Sequence, residues 1–308
     1  MSSYKKVIKN NQSDLKGIYG VAYSCSTKES TYCDDWFSER YSNIYKHNNQ
    51  RNLSLVKQLG FNHIRTYYIK PDENHNDFLN YCCELNLSVE IGISNNLLES
   101  RDFVSIAKIV NSTKSFRCVK IYTVGNEYFG NTSDIIFGLD LIYSLDNSKY
   151  LMHSSIFDTG FHSAKKVYSA LSRKSGILDK YIVSINMYFY NNKAESHGDV
   201  VQNVVMDFYN DTILRNSYLI ISEFGNNSMN NGEQYNSLWN FSFGNTECLK
   251  KYDKYLGYCL FSFSNESWKG AGNSENNYGI LEENGIKKNG YYAIENFKNS
   301  EEYRKYIR

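Results

Sequence analysis

Two glutamates, Glu127 and Glu223, each stand where a run of apolar and β-branched residues gives way to a polar segment. The first run ends Thr123-Val124-Gly125-Asn126-Glu127-Tyr128 and the second ends Ile221-Ser222-Glu223-Phe224-Gly225. Two carboxyl groups facing each other across a cleft can break a glycosidic bond. One protonates the leaving oxygen, and the other attacks the anomeric carbon or activates water on the opposite face. A strand-end glutamate taken singly is more often a solvated rim residue or a helix N-terminal charge, so the surroundings decide what the pair means.

Other chemistries find little material. The six His are scattered with no pair at ligand spacing, and no glycine-rich phosphate fingerprint follows the first strand-like run. The seven Cys are an odd number without regular spacing; Cys82 and Cys83 are adjacent, and a C-x₂-C metal pattern is absent. No cofactor and no metal are therefore expected. Lys+Arg at 34 against Asp+Glu at 33 leaves a net charge of +1 with no basic block, which excludes the electrostatic footprint of a nucleic-acid partner. A neutral sugar fits that balance. Aromatics reach 16%, led by 28 Tyr in a chain rich in Asn, Lys and Ile with a single Pro. Most of that surplus is compositional, though flat rings with a polar tip also suit stacking on sugars.

The elements that must carry the two glutamates are legible as alternating short β-rich runs and longer amphipathic stretches. Strands are predicted at 17–23, 63–69, 88–93, 119–125, 150–154, 182–188, 218–222 and 258–264. Between them, helices are predicted up to a glycine cap at Gly60, then at 77–85, 101–110, 134–145, 164–171, 201–214 and within 234–254, with a last one at 292–297. An open doubly wound sheet also alternates, but eight successive units with modest loops favour an α/β fold of one (β/α)₈ TIM barrel. Residues 17–300 form that barrel, 1–16 an N-terminal extension and 301–308 a tail. Reactive groups in such barrels sit at the C-terminal strand ends, which puts Glu127 on strand four and Glu223 on strand seven.

The motifs around these ends resemble clan-A glycoside hydrolases. INMY at strand six, SEFGNN at strand seven, the stretch 276–280 (NNYGI) followed by Asn284-Gly285, and IRTYYIKPDENH at 64–75 are similar to the β-1,3-glucanosyltransferases of glycoside hydrolase family 72. GISNN at strand three, VGNEY at strand four and SNESWKG after strand eight are similar to the β-1,3-glucanases of family 17. The resemblance covers the barrel, with close matches at the strand ends.

It implies Glu127 as acid/base and Glu223 as nucleophile of a retaining enzyme acting on β-1,3-glucan, with carboxyl groups about 5–5.5 Å apart. It further implies that Asn126 bonds the 2-hydroxyl of the attacked sugar, that Arg65 sits beside Glu223 and keeps it ionised, and that Tyr188 donates its phenol to Glu223. Trp268 is a candidate for sugar stacking or for an interior loop anchor. Tyr23 and Tyr67, at the ends of strands one and two, are expected to line the same cleft. Glu266 is a third carboxylate near the mouth, able to bind a sugar hydroxyl but read first as a solvated loop charge.

Two departures stand out. The glucanosyltransferases carry an aspartate at the end of strand three where this chain has Gly92, and a cysteine after strand two where it has Phe78, which removes one family disulfide. No apolar signal region opens the chain and no run reaches membrane-spanning length, so a cytoplasmic or virion-associated setting is expected over classical secretion. The expected partner is a β-glucan oligo- or polysaccharide; oligomeric state is left open. The alternative is a catalytically weak carbohydrate-binding or surface structural protein on the same barrel.

Overall fold

The computed structural model describes residues 15–31, 34–174, 176–188, 193–227, 231–270 and 274–307. Most of the expected N-terminal extension, together with Cys33, lies outside them. Eight parallel strands close into a barrel in chain order: β1 (Ile18–Ala22), β2 (His63–Arg65), β3 (Ser88–Ile93), β4 (Val119–Asn126), β5 (Tyr150–Ile156), β6 (Tyr181–Met187), β7 (Tyr218–Phe224) and β8 (Tyr255–Leu260). β1 pairs with both β2 and β8, which completes the ring.

Around the strands run α1 (Leu53–Gln58), α2 (Asn76–Glu84), α3 (Asn95–Glu99), α4 (Phe103–Thr113), α5 (Thr132–Leu145), α6 (His162–Leu171), α7 (His197–Asn210) and α8 (Asn231–Lys251), with α9 (Asn289–Asn299) and α10 (Glu301–Ile307) closing the chain. α4 shows why such segments form. The Asp102 carboxylate accepts the Ser105 amide at 3.0 Å as N-cap, and Ile106, Ile109, Val110 and Thr113 recur at helical spacing on the buried face.

Strand period two builds the lumen in layers. Its floor is apolar: Ile18, Ile121, Met152, Ile182, Ile220 and Leu256 form one cluster under Leu15. Two residues further along, the same faces turn polar, as Ile121 gives way to Thr123, Met152 to Ser154, Ile182 to Ser184 and Ile220 to Ser222, all buried. His63 and Arg65 on β2 and Glu90 on β3 belong to this polar layer. The functional strand ends lie above it.

Two strands depart from their expected bounds. β8 begins at Tyr255, because Tyr255 and Tyr258 take the register opposite Leu219 and Ile221 of β7. Residues 261–264 continue instead as a crossing segment, with Phe263 donating its amide to Ala22 and Leu281 donating to Phe263. β2 ends at Arg65. The chain then folds across the end of β3, where a Cβ on Gly92 would meet the Tyr67 carbonyl oxygen at 2.1 Å. A short helix, α3, fills the loop after β3, and the expected tail is the helix α10.

Cys83, at the end of α2, and Cys118, just before β4, form a disulfide with Cα atoms 5.1 Å apart. The sequence pattern assigned these cysteines no partner, since their 35-residue separation matches no local framework. This bond runs against the cysteine part of the expectation of a reducing setting. Among the described residues, no helix is long and apolar enough to cross a membrane.

Candidate active site

Glu127 and Glu223 line one cleft of about 560 Å³ at the C-terminal mouth of the barrel. Local irregularities in the strands aim them. On β7, Ile221 pairs with Ile185 while Glu223 pairs with Asn186, so Ser222 is one extra residue that bends the strand. On β4 the register slips between Thr123 and Asn126, where Gly125 adopts φ +75° and Glu127 itself φ +49°. A side chain at Gly125 would need that left-handed backbone and would also meet Leu98 at 2.8 Å.

Glu223, 4% exposed, is held from three sides. Arg65 donates from Nη1 to Oε1 at 2.6 Å, Tyr67 donates its phenol to Oε1 at 3.0 Å, and Tyr188 donates to Oε2 at 2.5 Å. Burial, followed by the charge on Glu223, holds both phenols well above the usual tyrosine range, so they act as donors. Burial works against the Arg65 charge, but Glu223, Tyr67 and Glu90 outweigh it and keep the guanidinium protonated.

Arg65 is the hub of the polar layer. At 1% exposure it also donates to Glu90 Oε1 at 3.0 Å, to the Ser222 carbonyl at 2.7 Å, to Asn126 Oδ1 at 2.8 Å and to Ser154 Oγ at 3.1 Å. Asn126 Oδ1 accepts a second bond from Asn186 Nδ2 at 3.0 Å. With its oxygen occupied by two donors, the Asn126 amide turns its NH₂ toward the cleft, where it can donate to a sugar hydroxyl.

Glu127, half-buried in the same cleft, accepts from Asn186 Nδ2 at 2.9 Å. Burial raises its pKa, the Asn186 bond opposes the shift, and the nearby Glu223 charge adds to it. Burial thus shifts one carboxyl toward its protonated form, while the other is surrounded by a cation and two phenol donors. Asn186 is oriented in turn by the Ser222 hydroxyl, which donates to its Oδ1 at 2.7 Å. Asn95 pins the backbone before Glu127: its amide donates to the Asn126 carbonyl and accepts the Asn126 N–H.

The aromatic wall contains Trp268, packed on Trp36 with ring centroids 5.1 Å apart. Tyr67 and Tyr188 also line the cleft. Tyr23 does not. It is 1% exposed, its phenol donates to the Arg51 carbonyl at 2.8 Å, and its ring packs against Phe263. The parity of β1 explains the correction: Ile18 and Ala22 face the lumen, which turns Tyr23 toward the surrounding shell. Glu266 is not a solvated charge either. It is 4% exposed on the cleft wall and paired with Lys269 at 2.9 Å; burial raises its pKa against the pull of that lysine.

Several site residues escaped the sequence reading. Asn186 lies inside the INMY motif, where nothing in the run marks it as bridging two strands. Glu90 had a clear signal, an acid in the middle of the apolar run SVEIGI on the same inward parity as its partner strand's Arg65. Trp36, Phe261 and Tyr278 reach the cleft from irregular segments, where no periodicity announces a direction.

No family model matches the chain, and no curated protein matches its sequence. Solved structures do match. A GH2 β-galacturonidase from Eisenbergiella tayi bound to glycerol aligns with TM-score 0.62 and 18% identity over 80% of this chain and 46% of that one. Gas2p of Saccharomyces cerevisiae, a mutant in complex with laminaritetraose and laminaripentaose, aligns with TM-score 0.63 and 15% identity over 92% and 63% of the two chains. CJP38, a β-1,3-glucanase and allergen of Cryptomeria japonica pollen, aligns with TM-score 0.60 and 15% identity over 87% and 96%. The chain thus spans about half the length of the first of these. At such identities the likeness shows the fold alone, a closed barrel of eight parallel strands.

Proposed function

We propose that this chain is a retaining glycosidase or transglycosylase that cleaves β-1,3-glucan and passes the glycosyl unit to water or to a second sugar. The observation that carries the reading is the asymmetry of the two glutamates in one cleft: Glu223 bonded by Arg65, Tyr67 and Tyr188, and Glu127 with its pKa raised by burial. The β-1,3 linkage rests on the strand-end motifs, with support from the laminari-oligosaccharides named for Gas2p and the activity named for CJP38.

In the first step Glu223 attacks the anomeric carbon while the Glu127 proton passes to the leaving oxygen. The guanidinium and the two phenols fix the direction of attack. Asn126 donates to the 2-hydroxyl, a bond that tightens as positive charge develops on the ring. In the second step Glu127, now ionised, takes a proton from water or from an acceptor hydroxyl, and the incoming oxygen displaces Glu223 with retention. Trp268 and Trp36 offer the aromatic wall on which sugar faces stack. Lys269 and Glu266 form a polar edge for hydroxyl groups.

Incubation with linear β-1,3-gluco-oligosaccharides, with products sized by mass spectrometry, tests the reading. Products both longer and shorter than the donor, absent with Glu127→Gln and Glu223→Gln, make it a transglycosylase; shorter products alone make it a hydrolase. Bound but unaltered oligosaccharides across a panel of β-glucans would refute the enzymatic reading and leave a carbohydrate-binding protein.

A further inference from the structure

Glu90 takes no part in the chemistry above, yet it is wired to it. It is 0% exposed on β3, beneath the cleft, and does not line it. Its Oε1 accepts from Arg65 Nε at 3.0 Å and from the Thr123 hydroxyl at 2.6 Å, and its Oε2 faces His63 Nε2 at 3.5 Å. The guanidinium of Arg65 is thereby shared between two buried carboxylates, Glu90 below and Glu223 above. A single cation serving two anions exceeds what orienting one nucleophile requires.

The covalent step explains the second anion. When the bond from Glu223 to the anomeric carbon forms and the bond to the leaving oxygen breaks, the proton of Glu127 goes to that oxygen. Glu223 becomes a neutral ester and Glu127 takes over the negative charge. Arg65 keeps its positive charge and stays buried. Without Glu90 it would face the ester alone, and an unpaired buried cation is strongly unfavourable.

We propose that Glu90 is a positioning residue that acts through Arg65: it holds the guanidinium in a neutral buried pair while Glu223 is esterified, and so lowers the free energy of the glycosyl-enzyme. The inference rests on the retaining reading above. It also assigns a consequence to the sharing in the free enzyme. Because Glu90 takes part of the Arg65 charge, Glu223 is less tightly neutralised and remains a competent nucleophile.

Replacing Glu90 by Gln keeps the shape. The amide oxygen can accept from Arg65 and Thr123, and the amide nitrogen can donate to His63, so the core stays hydrogen-bonded. The charge alone is lost. Arg65 then has Glu223 as its one anionic partner in the free enzyme and only neutral acceptors, the amide at position 90, the Ser222 carbonyl, Asn126 and Ser154, in the adduct. Formation of the adduct should slow while its breakdown accelerates, two effects of opposite sign that a loosened site would not produce.

The experiment uses 2-deoxy-2-fluoro-β-laminaribiosyl fluoride with the full chain, following by intact-protein mass the rate of labelling and then, with acceptor sugar added, the rate of label loss. In Glu90→Gln the labelling rate should fall on the order of tenfold or more relative to wild type, and label loss should quicken. Both rates slowed together, or both unchanged, would overturn the proposal while leaving the retaining mechanism standing. A wild-type chain that takes no label would instead sink the retaining reading, and this inference with it. Should Glu90→Gln not fold, Glu90→Asp, whose carboxylate is drawn back by one methylene, carries the same opposed shift at smaller size; an unchanged ratio of the two rates there also overturns the proposal.

Discussion

Arg65→Met is the substitution most revealing of how the barrel interior is held. The guanidinium makes five hydrogen bonds, to Glu90, the Ser222 carbonyl, Glu223, Asn126 and Ser154. Met matches its apolar stem but leaves two carboxylates, at 0% and 4% exposure, without a cation. Breaking one buried ion pair by removing one partner costs about 3–5 kcal/mol, and here two anions lose the same partner, so the loss should lie near about 5 kcal/mol. On a chain of 308 residues that corresponds to a fall in Tm of roughly 8 °C. Arg65→Lys keeps the charge but not the planar fork and should lose roughly half as much. The double variant Arg65→Met/Glu90→Met removes one orphaned anion and should regain part of the deficit, a coupling measured by urea titrations of wild type, Arg65→Met, Glu90→Met and the double variant. A single variant within about 1 kcal/mol of wild type, or a double variant less stable than Arg65→Met alone, would show that Arg65 does not neutralise both carboxylates.

Other consequences follow from the same contacts. Because burial raises the Glu127 pKa above its unfolded value, its contribution to stability is fully present below the unfolded carboxylate range and is lost as pH rises through the folded value. Glu127→Gln should therefore raise Tm at pH 7 and give no gain near pH 4, while the wild-type rate falls on the alkaline side as Glu127 loses its proton; equal Tm changes at both pH values would contradict this. Trp268→Ala should raise KM for laminari-oligosaccharides roughly two- to tenfold with a smaller effect on kcat, as loss of one aromatic stack implies; an unchanged KM would make Trp268 a loop anchor only. The Cys83–Cys118 disulfide closes a loop of 35 residues, and removing it by Cys83→Ser/Cys118→Ser should cost about 3–4 kcal/mol in a non-reducing denaturant titration; no measurable loss would mean the thiols are not bonded in solution.

The barrel was legible because its strands announce themselves at short range. β3 falls on its predicted bounds, since SVEIGI is β-branched and ends at a polar helix cap. β8 was misplaced by three residues, because Tyr255, Leu256 and Tyr258 are as compatible with the end of a helix as with a strand, and only pairing with β7 decides. Glu127 and Glu223 are legible from their places at strand ends, whereas Asn126 and Arg65 are expected beside them only through the family resemblance. Tyr23 was misread for want of lumen parity. Glu90 and Asn186 went unseen because their roles depend on a shared partner from another strand, a non-local relation no single run displays. Gly92 shows the limit from the other side: its lack of a side chain is set by the Tyr67 backbone crossing above it. The Cys83–Cys118 bond likewise depends on α2 and β4 meeting at the base of the barrel.

If Glu223 is the nucleophile, it forms a covalent bond to the sugar, and the site of a trapped label locates that bond. The chain would be inactivated with the 2-fluoro laminaribiosyl fluoride, digested with pepsin, and the labelled peptide sequenced by mass spectrometry. The expected result is a single labelled peptide spanning 218–225 with the sugar on Glu223. A label on Glu127, on another residue, or absent from a chain that still cleaves the oligosaccharides would contradict it.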